Sequence, residues 1–124
     1  MKANCRDTWF GYYIVSPNYP SEYSSGLDCR WTILAPPKRK IGLQFLDFEL
    51  EERLETAPTN DYLEVFDGSS DGDSTSLGKF YGSQIPGYIQ TNGSALIIQF
   101  YSDKNGNKKG FKIKYSIGKC YENA

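Results

Sequence analysis

The sequence predicts an all-β protein folded as a two-layer antiparallel β-sandwich. Three observations lead there. The chain is rich in aromatics (10 Tyr, 7 Phe, 2 Trp) and in turn formers (12 Gly, 6 Pro), with few long helical patterns. Its apolar residues recur at period two in short runs set apart by turn residues. One run, Ala95-Leu96-Ile97-Ile98-Gln99-Phe100-Tyr101, is apolar on both faces, as expected of a strand lying centrally between two layers.

Taken in order, residues 1–13 read as an arm ending in Trp9-Phe10-Gly11-Tyr12-Tyr13. A short strand, Ile14-Val15, enters Ser16-Pro17-Asn18-Tyr19-Pro20, where two prolines forbid helix and impose extended or turn backbone. Tyr19 and Tyr23 are expected to cover a core edge. From Asp28 to Leu34, Trp31 and Ile33 share one face and Arg30 and Thr32 the other. Ala35-Pro36-Pro37-Lys38-Arg39-Lys40 is a turn loop. Ile41, Leu43 and Phe45 then give a strand to about Phe48. Residues 49–60 form an acidic, irregular connection. A half-buried strand over 61–66 alternates Tyr62, Glu64 and Phe66 with Leu63 and Val65, and exits at Asp67-Gly68. After a polar loop from Asp67 to Ser76, short strands are predicted at Gly78–Phe80 and Tyr88–Gln90. The central run 95–101 follows, then a loop from Ser102 to Lys109 and a last strand from Phe111 to Tyr115. No internal repeat or domain break interrupts the chain.

A chain of 124 residues is one domain's worth. Lys+Arg number 14 and Asp+Glu 15, so no global basic signature points to nucleic acid. There is no histidine, which removes Ser-His-Asp and Cys-His systems and imidazole zinc sites. No nucleophile–base pair stands out, so catalysis is not expected. No stretch approaches the roughly 18–20 apolar residues of a membrane span, and Met1-Lys2-Ala3-Asn4-Cys5 lacks the apolar core of a signal peptide. The chain thus reads as an excised fragment with an added start Met. Of Cys5, Cys29 and Cys120, at most two can pair internally. Cys5–Cys29 is the expected bridge, closing a loop worth about 3 kcal/mol; the alternative is three unpaired buried thiols. Cys120, beyond the last predicted strand, is left to pair with a neighbouring domain or chain.

Three acids fall at predicted strand ends: Glu49 closes one strand, Asp61 opens the next, and Asp103 follows the central run by two residues. If the strands flanking 49–61 are antiparallel neighbours, their loop places Glu49 and Asp61 at one end of the sandwich. The expectation is that the three converge on a hard cation, calcium, with a backbone carbonyl from Asn105 or Gly106 bending back to it. The plainer alternative is three solvated surface acids. A rival loop, Asp67-Gly68-Ser69-Ser70-Asp71-Gly72-Asp73, opens like an EF-hand, but its twelfth position is Gly78 rather than Glu and no helices flank it.

An ordered set of motifs resembles a known family. Cys5, Ser16-Pro17-Asn18-Tyr19-Pro20-x-x-Tyr23, Cys29-x-Trp31-x-Ile33, Phe45-x-x-Phe48-Glu49, Asp61-Tyr62-Leu63, Gly78-x-Phe80-x-Gly82, Phe100-x-Ser102-Asp103 and Gly110-Phe111 together look like a CUB domain. The resemblance spans about residues 5–117, leaving 1–4 as a leader and 118–124 as a tail or linker. It implies a jelly-roll-like sandwich of two antiparallel sheets from secreted or cell-surface proteins. It also implies a binding module, and in many members one calcium held by a Glu, the Asp of the Asp-Tyr pair and the Asp of the Ser-Asp pair. Those positions are Glu49, Asp61 and Asp103 here, with Glu51 and Glu52 as alternatives to Glu49 because the connection to Asp61 is longer than usual. The family's second disulfide is missing at both ends: Ala57-Pro58-Thr59-Asn60 and Tyr81 stand where its cysteines would be. The Tyr that calcium-binding members carry near the start is out of step by about a residue at Gly11-Tyr12-Tyr13.

The functional expectation is a non-catalytic extracellular module for calcium-dependent protein–protein interaction, its partner docking a Lys or Arg beside the ion. The alternatives are a carbohydrate- or glycosaminoglycan-binding module, as in spermadhesin-type relatives, and a targeting domain of a secreted protease. Lys38, Arg39, Lys40, Lys104, Lys108, Lys109, Lys112 and Lys114 would serve the glycan reading, though the balanced net charge and exposed strand faces favour plain solvated lysines. Asn92-Gly93-Ser94 is a glycosylation sequon, and Asn-Gly is also a good hairpin turn. Exposed tyrosines near the calcium loops are candidate contact anchors.

Overall fold

The computed structural model describes residues 9–52, 60–69, 74–103 and 108–120. All regular structure among them is strand. The elements are β1 (Trp9–Phe10), β2 (Tyr13–Val15), β3 (Asp28–Leu34), β4 (Arg39–Glu49), β5 (Tyr62–Asp67), β6 (Thr75–Phe80), β7 (Ile89–Gln90), β8 (Ala95–Tyr101) and β9 (Gly110–Cys120). They build two sheets, ordered β1-β2-β9-β4-β7 and β3-β8-β5-β6, and every pairing is antiparallel. No helix among the described residues is long and apolar enough to cross a membrane.

The sheets pack face to face because each strand gives alternate residues to one interior. Trp31 and Ile33 of β3, Leu63 and Val65 of β5, Leu96, Ile98 and Phe100 of β8, and Phe111 and Ile113 of β9 are all buried. Phe111 links the layers, with its ring edge-on to both Trp31 and Phe100. Burying a side chain of this size is worth about 1.5–3 kcal/mol. This interior is therefore what supports polar structure at the ends.

β8 departs in one respect from its expected place. It is central within its own sheet, between β3 and β5, rather than sandwiched between layers. Ile97 points away from the core yet is buried, because its partners across the sheet are Thr32 and Phe66. The sheet thus covers its own middle row.

β4 carries a bulge between Phe45 and Asp47. Ahead of it Ile41, Leu43 and Phe45 face inward; beyond it Phe48 and Leu50 do. The alternation slips by one residue, as a bulge requires. Near this end Ser16 is buried. Its hydroxyl oxygen accepts the Phe111 N–H at 3.0 Å, and its own N–H donates to the Phe111 carbonyl at 3.1 Å. Gly110 has φ +98, and a Cβ there would lie 1.8 Å from the Ser16 Oγ, so only glycine lets the start of β9 approach this closely.

Candidate metal centre

The site forms where the two central strands of the smaller sheet end. Tyr62 of β5 pairs with Tyr101 of β8, so Asp61 and the Ser102-Asp103 step lie side by side just outside the pair. Asp61 is 0% exposed. Its Oδ1 accepts the Asp103 backbone N–H at 2.7 Å, and its Oδ2 accepts the Tyr23 hydroxyl at 2.5 Å. Both are charge-assisted bonds, about twice as strong as neutral ones.

Tyr23 arrives from the proline-rich turn after β2. Its ring sits edge-on to Phe100, with centroids 4.9 Å apart, and its backbone N–H donates to the Lys108 carbonyl at 3.0 Å. The hydroxyl that donates to Asp61 also accepts the Glu51 N–H at 3.3 Å. Burial and the bond to Asp61 hold the phenol well above its ordinary range.

Ser102 laces the same turn to β8. Its buried hydroxyl accepts the Leu27 N–H at 2.8 Å and donates to the Ser24 carbonyl at 2.8 Å. The Gly26 N–H donates to the Asp103 carbonyl at 2.9 Å. The Ser-Asp pair therefore acts as a clamp and an acid in succession.

Glu51 is delivered from the opposite sheet. Beyond β4 the chain crosses over and pairs with the second residue after β6: Leu50 N–H donates to the Gly82 carbonyl at 2.8 Å, and Gly82 N–H to the Glu51 carbonyl at 3.2 Å. Gly82 has φ +68, and a Cβ there would meet both Glu52 carboxylate oxygens at 2.6 Å. This exit brings Glu51 over Asp61.

One carboxylate oxygen each from Glu51, Asp61 and Asp103 lies within 4.8 Å of the others. Oxygens bound to one calcium at roughly 2.3–2.6 Å cannot be more than about 5 Å apart. The spacing therefore suits a shared ion, and an all-oxygen carboxylate set suits a hard cation such as calcium. Burial, with a smaller push from Asp103, raises the Asp61 carboxyl to about 6 despite hydrogen bonds from Tyr23 and the Asp103 backbone that pull it down. Burial and the Asp103 charge raise Glu51 as well, against the pull of the Asp61 backbone and Lys108. Carboxylates gathered in a partly desolvated pocket respond this way.

A pH dependence follows. The Asp61 carboxyl titrates near 6 in the fold against 3.8 ordinarily, so between those values the native state binds more protons than the unfolded chain. In chelator, stability should rise as pH falls from 7 towards 4, and the gain should vanish as pH climbs through about 6. Below 4 the sign reverses for Asp47. Desolvation pushes that carboxyl up, but hydrogen bonds from Lys109 and Tyr19 outweigh it and leave it lowered. Urea unfolding at pH 5 and 7 checks this; equal or lower stability at pH 5 would contradict the assignment.

Of the predicted ligands, the structure brings Asp61 and Asp103 together and places Glu51, not Glu49, beside them. Glu49 lies on the outer face of β4, exposed, with its Oε1 accepting the Lys109 N–H at 3.3 Å. The β4 bulge puts Phe48 and Leu50 inward and turns Glu49 out. Nor are β4 and β5 neighbours, since they belong to different sheets. The acids meet through the Leu50–Gly82 crossing instead. Asn105 and Gly106 lie outside the described residues, as does Cys5. Cys29 is buried and disulfide-bonded. Asn92 is exposed, at the opposite end of the sandwich. Sequence reasoning placed Tyr23 at a core edge and missed its hydroxyl as the junction between Glu51 and Asp61. The available signal was chemical: a buried tyrosine needs a partner for its hydroxyl.

Comparison with known proteins agrees with this architecture. The CUB domain family model matches residues 8–115. Human cubilin is 40% identical over 109 residues, covering 87% of this chain and 3% of cubilin, so the chain spans a small fraction of that relative. Among solved structures, the full extracellular region of zebrafish Gpr126/Adgrg6 superposes with a TM-score of 0.72 at 36% identity, covering 86% of this chain and 13% of that one. The MASP-1 CUB2 domain bound to Ca2+ superposes with a TM-score of 0.72 at 32% identity, covering 83% of this chain and 88% of that one. With its fold and nearly its whole length accounted for in this way, the chain belongs to the CUB domain family.

Proposed function

We propose that this domain is an extracellular, calcium-dependent protein-interaction module whose ion is held by Glu51, Asp61 and Asp103. The observation that carries the reading is the convergence of three carboxylate oxygens within 4.8 Å at a point where β5, β8 and the β4 exit already hold them. A calcium ion would bind here to carboxylate oxygens and draw its remaining ligands from carbonyls and water. A calcium-bound CUB domain of the same fold supports the choice of ion. Bound, the cation would offset the charge on all three acids and fix the 23–27 turn, the β4 exit and the Asp103 step relative to one another.

The rim of the site suits a protein partner. Tyr62 and Tyr101 stack at 5.4 Å beside the acids, Tyr81 lies 6.5 Å from Tyr62, and the Lys79 ammonium sits 4.1 Å above the Tyr62 ring. Half-buried tyrosines of this kind offer large contact area at small entropic cost. A Lys or Arg of the partner would dock against the acid ligands, so binding should weaken with chelator and with salt. The Cys5–Cys29 bridge belongs to the same reading. Cys120 ends a strand that starts opposite Glu49 and finishes opposite Arg39, roughly 30 Å away. Cys29 pairs with Phe100 near the acidic end, and bridged Cα atoms must lie within about 7 Å.

Calcium titration calorimetry on two conservative variants tests the ligand assignment. Glu51→Gln should weaken calcium binding at least tenfold, and Glu49→Gln should leave it within about twofold. Equal loss in both, or loss only in Glu49→Gln, would refute it.

A further inference from the structure

We propose that Asn92 carries an asparagine-linked glycan and that the sugar stands beside Leu34, at the end of the sandwich away from the acidic cluster. The sequon Asn92-Gly93-Ser94 has a plainer explanation, that Asn-Gly is there to make a tight hairpin. The structure removes it. β7 and β8 belong to different sheets, so residues 91–94 join two layers rather than two hairpin strands. A type I′ hairpin needs positive φ at both central residues, and neither Asn92 nor Gly93 has one. A Cβ at Gly93 would meet only Asp67, at an ordinary 3.6 Å. The turn is instead set by its backbone and by Thr91. The Thr91 hydroxyl oxygen accepts the Ile41 N–H at 2.9 Å, the hydroxyl donates to the Gly93 carbonyl at 2.6 Å, and the Asn92 N–H donates to Asp67 Oδ2 at 2.6 Å. The Asn92 side chain is exposed and makes no hydrogen bond among the described residues. The fold thus requires neither the Asn92 side chain nor a glycine at 93, while a glycan on the amide would project straight into solvent.

Position gives the modification a role. The Ala35 N–H donates to the Ser94 carbonyl at 2.8 Å, and Leu34 pairs with Ala95. Leu34, at 70% exposed, is the most exposed large apolar side chain among the described residues. A glycan on Asn92, three residues before the strand partner of Leu34, would shield it and leave the acidic end open. In the transfer, the Asn92 amide nitrogen attacks the anomeric carbon of an oligosaccharide carried on a polyprenyl diphosphate. The new C–N bond replaces the C–O bond to the diphosphate, which leaves with the electron pair, and a base of the transferase takes the amide proton. This inference stands independently of the calcium reading.

The test is intact-mass analysis of the chain secreted from cultured animal cells. The expected result is a mass above that of the polypeptide, removed by peptide-N-glycosidase. Release in heavy-oxygen water should leave a labelled aspartate at position 92, which separates enzymatic release from spontaneous deamidation. Ser94→Ala should lose the added mass and Ser94→Thr should keep it. An unmodified wild-type mass would overturn the proposal. After native deglycosylation, sedimentation should show increased self-association that Leu34→Ser abolishes; no increase would overturn the shielding.

Discussion

Calcium at 100-fold its dissociation constant should raise the unfolding midpoint of the wild-type domain by about 10 °C, and Asp61→Asn should abolish that rise. The size follows from linkage: binding to the native state alone contributes about 2.7 kcal/mol at that excess, and a domain of this length gains a few degrees per kcal/mol. The choice of asparagine follows from the hydrogen bonds. Asp61 Oδ1 accepts from the Asp103 N–H and Oδ2 from Tyr23. An amide can keep its oxygen on the Asp103 N–H and turn its nitrogen to the Tyr23 hydroxyl, which then accepts. The variant thus keeps both contacts, with the Tyr23 bond reversed in direction, and loses the charge. In chelator at pH 7 it should be at least as stable as wild type, since it no longer carries a desolvated carboxylate held near 6. A lost calcium response with undiminished calcium-free stability is a signature that general damage to the fold cannot imitate. Thermal melts in calcium and in chelator, for both proteins, read it directly. No shift in wild type, or a shift surviving in Asp61→Asn, would remove the ion from this place.

Most of the fold was legible because the interior writes itself into the sequence at period two. β3 and β8 match their expected bounds, and β5 differs by one residue at each end. In β3 and β5 the buried residues, Trp31 and Ile33, Leu63 and Val65, share the faces the alternation set apart. What failed had no local signature. The Trp9–Phe10 strand exists by pairing with β2, and β9 continues to Cys120 by pairing with β4. Propensity does not encode a partner supplied from elsewhere in the chain. In the site, Asp61 and Asp103 could be found because each abuts a strand whose register is fixed by its buried face. Glu49 came first because it closes the predicted strand and follows Phe45-x-x-Phe48 in the family motif, with Glu51 and Glu52 as the alternatives. The spacing Phe45-x-x-Phe48, three residues where two were due, was the visible mark of the bulge that turns Glu49 outward. The Leu50–Gly82 crossing, which actually delivers Glu51, joins residues 32 apart in sequence and leaves no periodic trace.

Tyr23→Phe should cost about 1–3 kcal/mol of stability and weaken calcium binding tenfold to hundredfold. The two effects arise from one oxygen. The ring, edge-on to Phe100, is preserved by phenylalanine, so packing is not what changes. Removing the hydroxyl leaves the buried Asp61 Oδ2 without its donor and the Glu51 N–H without its acceptor. The first loss is a desolvation penalty on a charged group. The second frees the β4 exit, and with it the aim of the Glu51 carboxylate. The hydroxyl does not itself coordinate the ion in this reading; it orients two groups that do. Tyr19→Phe is the matched control. That hydroxyl donates to Asp47 at 2.6 Å, outside the acidic cluster, in a partly exposed setting that also includes the Lys109–Asp47 ion pair at 2.7 Å. Its removal should cost no more than about 1 kcal/mol and leave the calcium isotherm unchanged. Urea unfolding in chelator measures the first effect and calorimetry the second. If Tyr23→Phe lost stability but bound calcium like wild type, Tyr23 would be a structural tyrosine only. The Glu51–Asp61 spacing would then be set by the backbone crossing at Gly82 rather than by the shared hydroxyl.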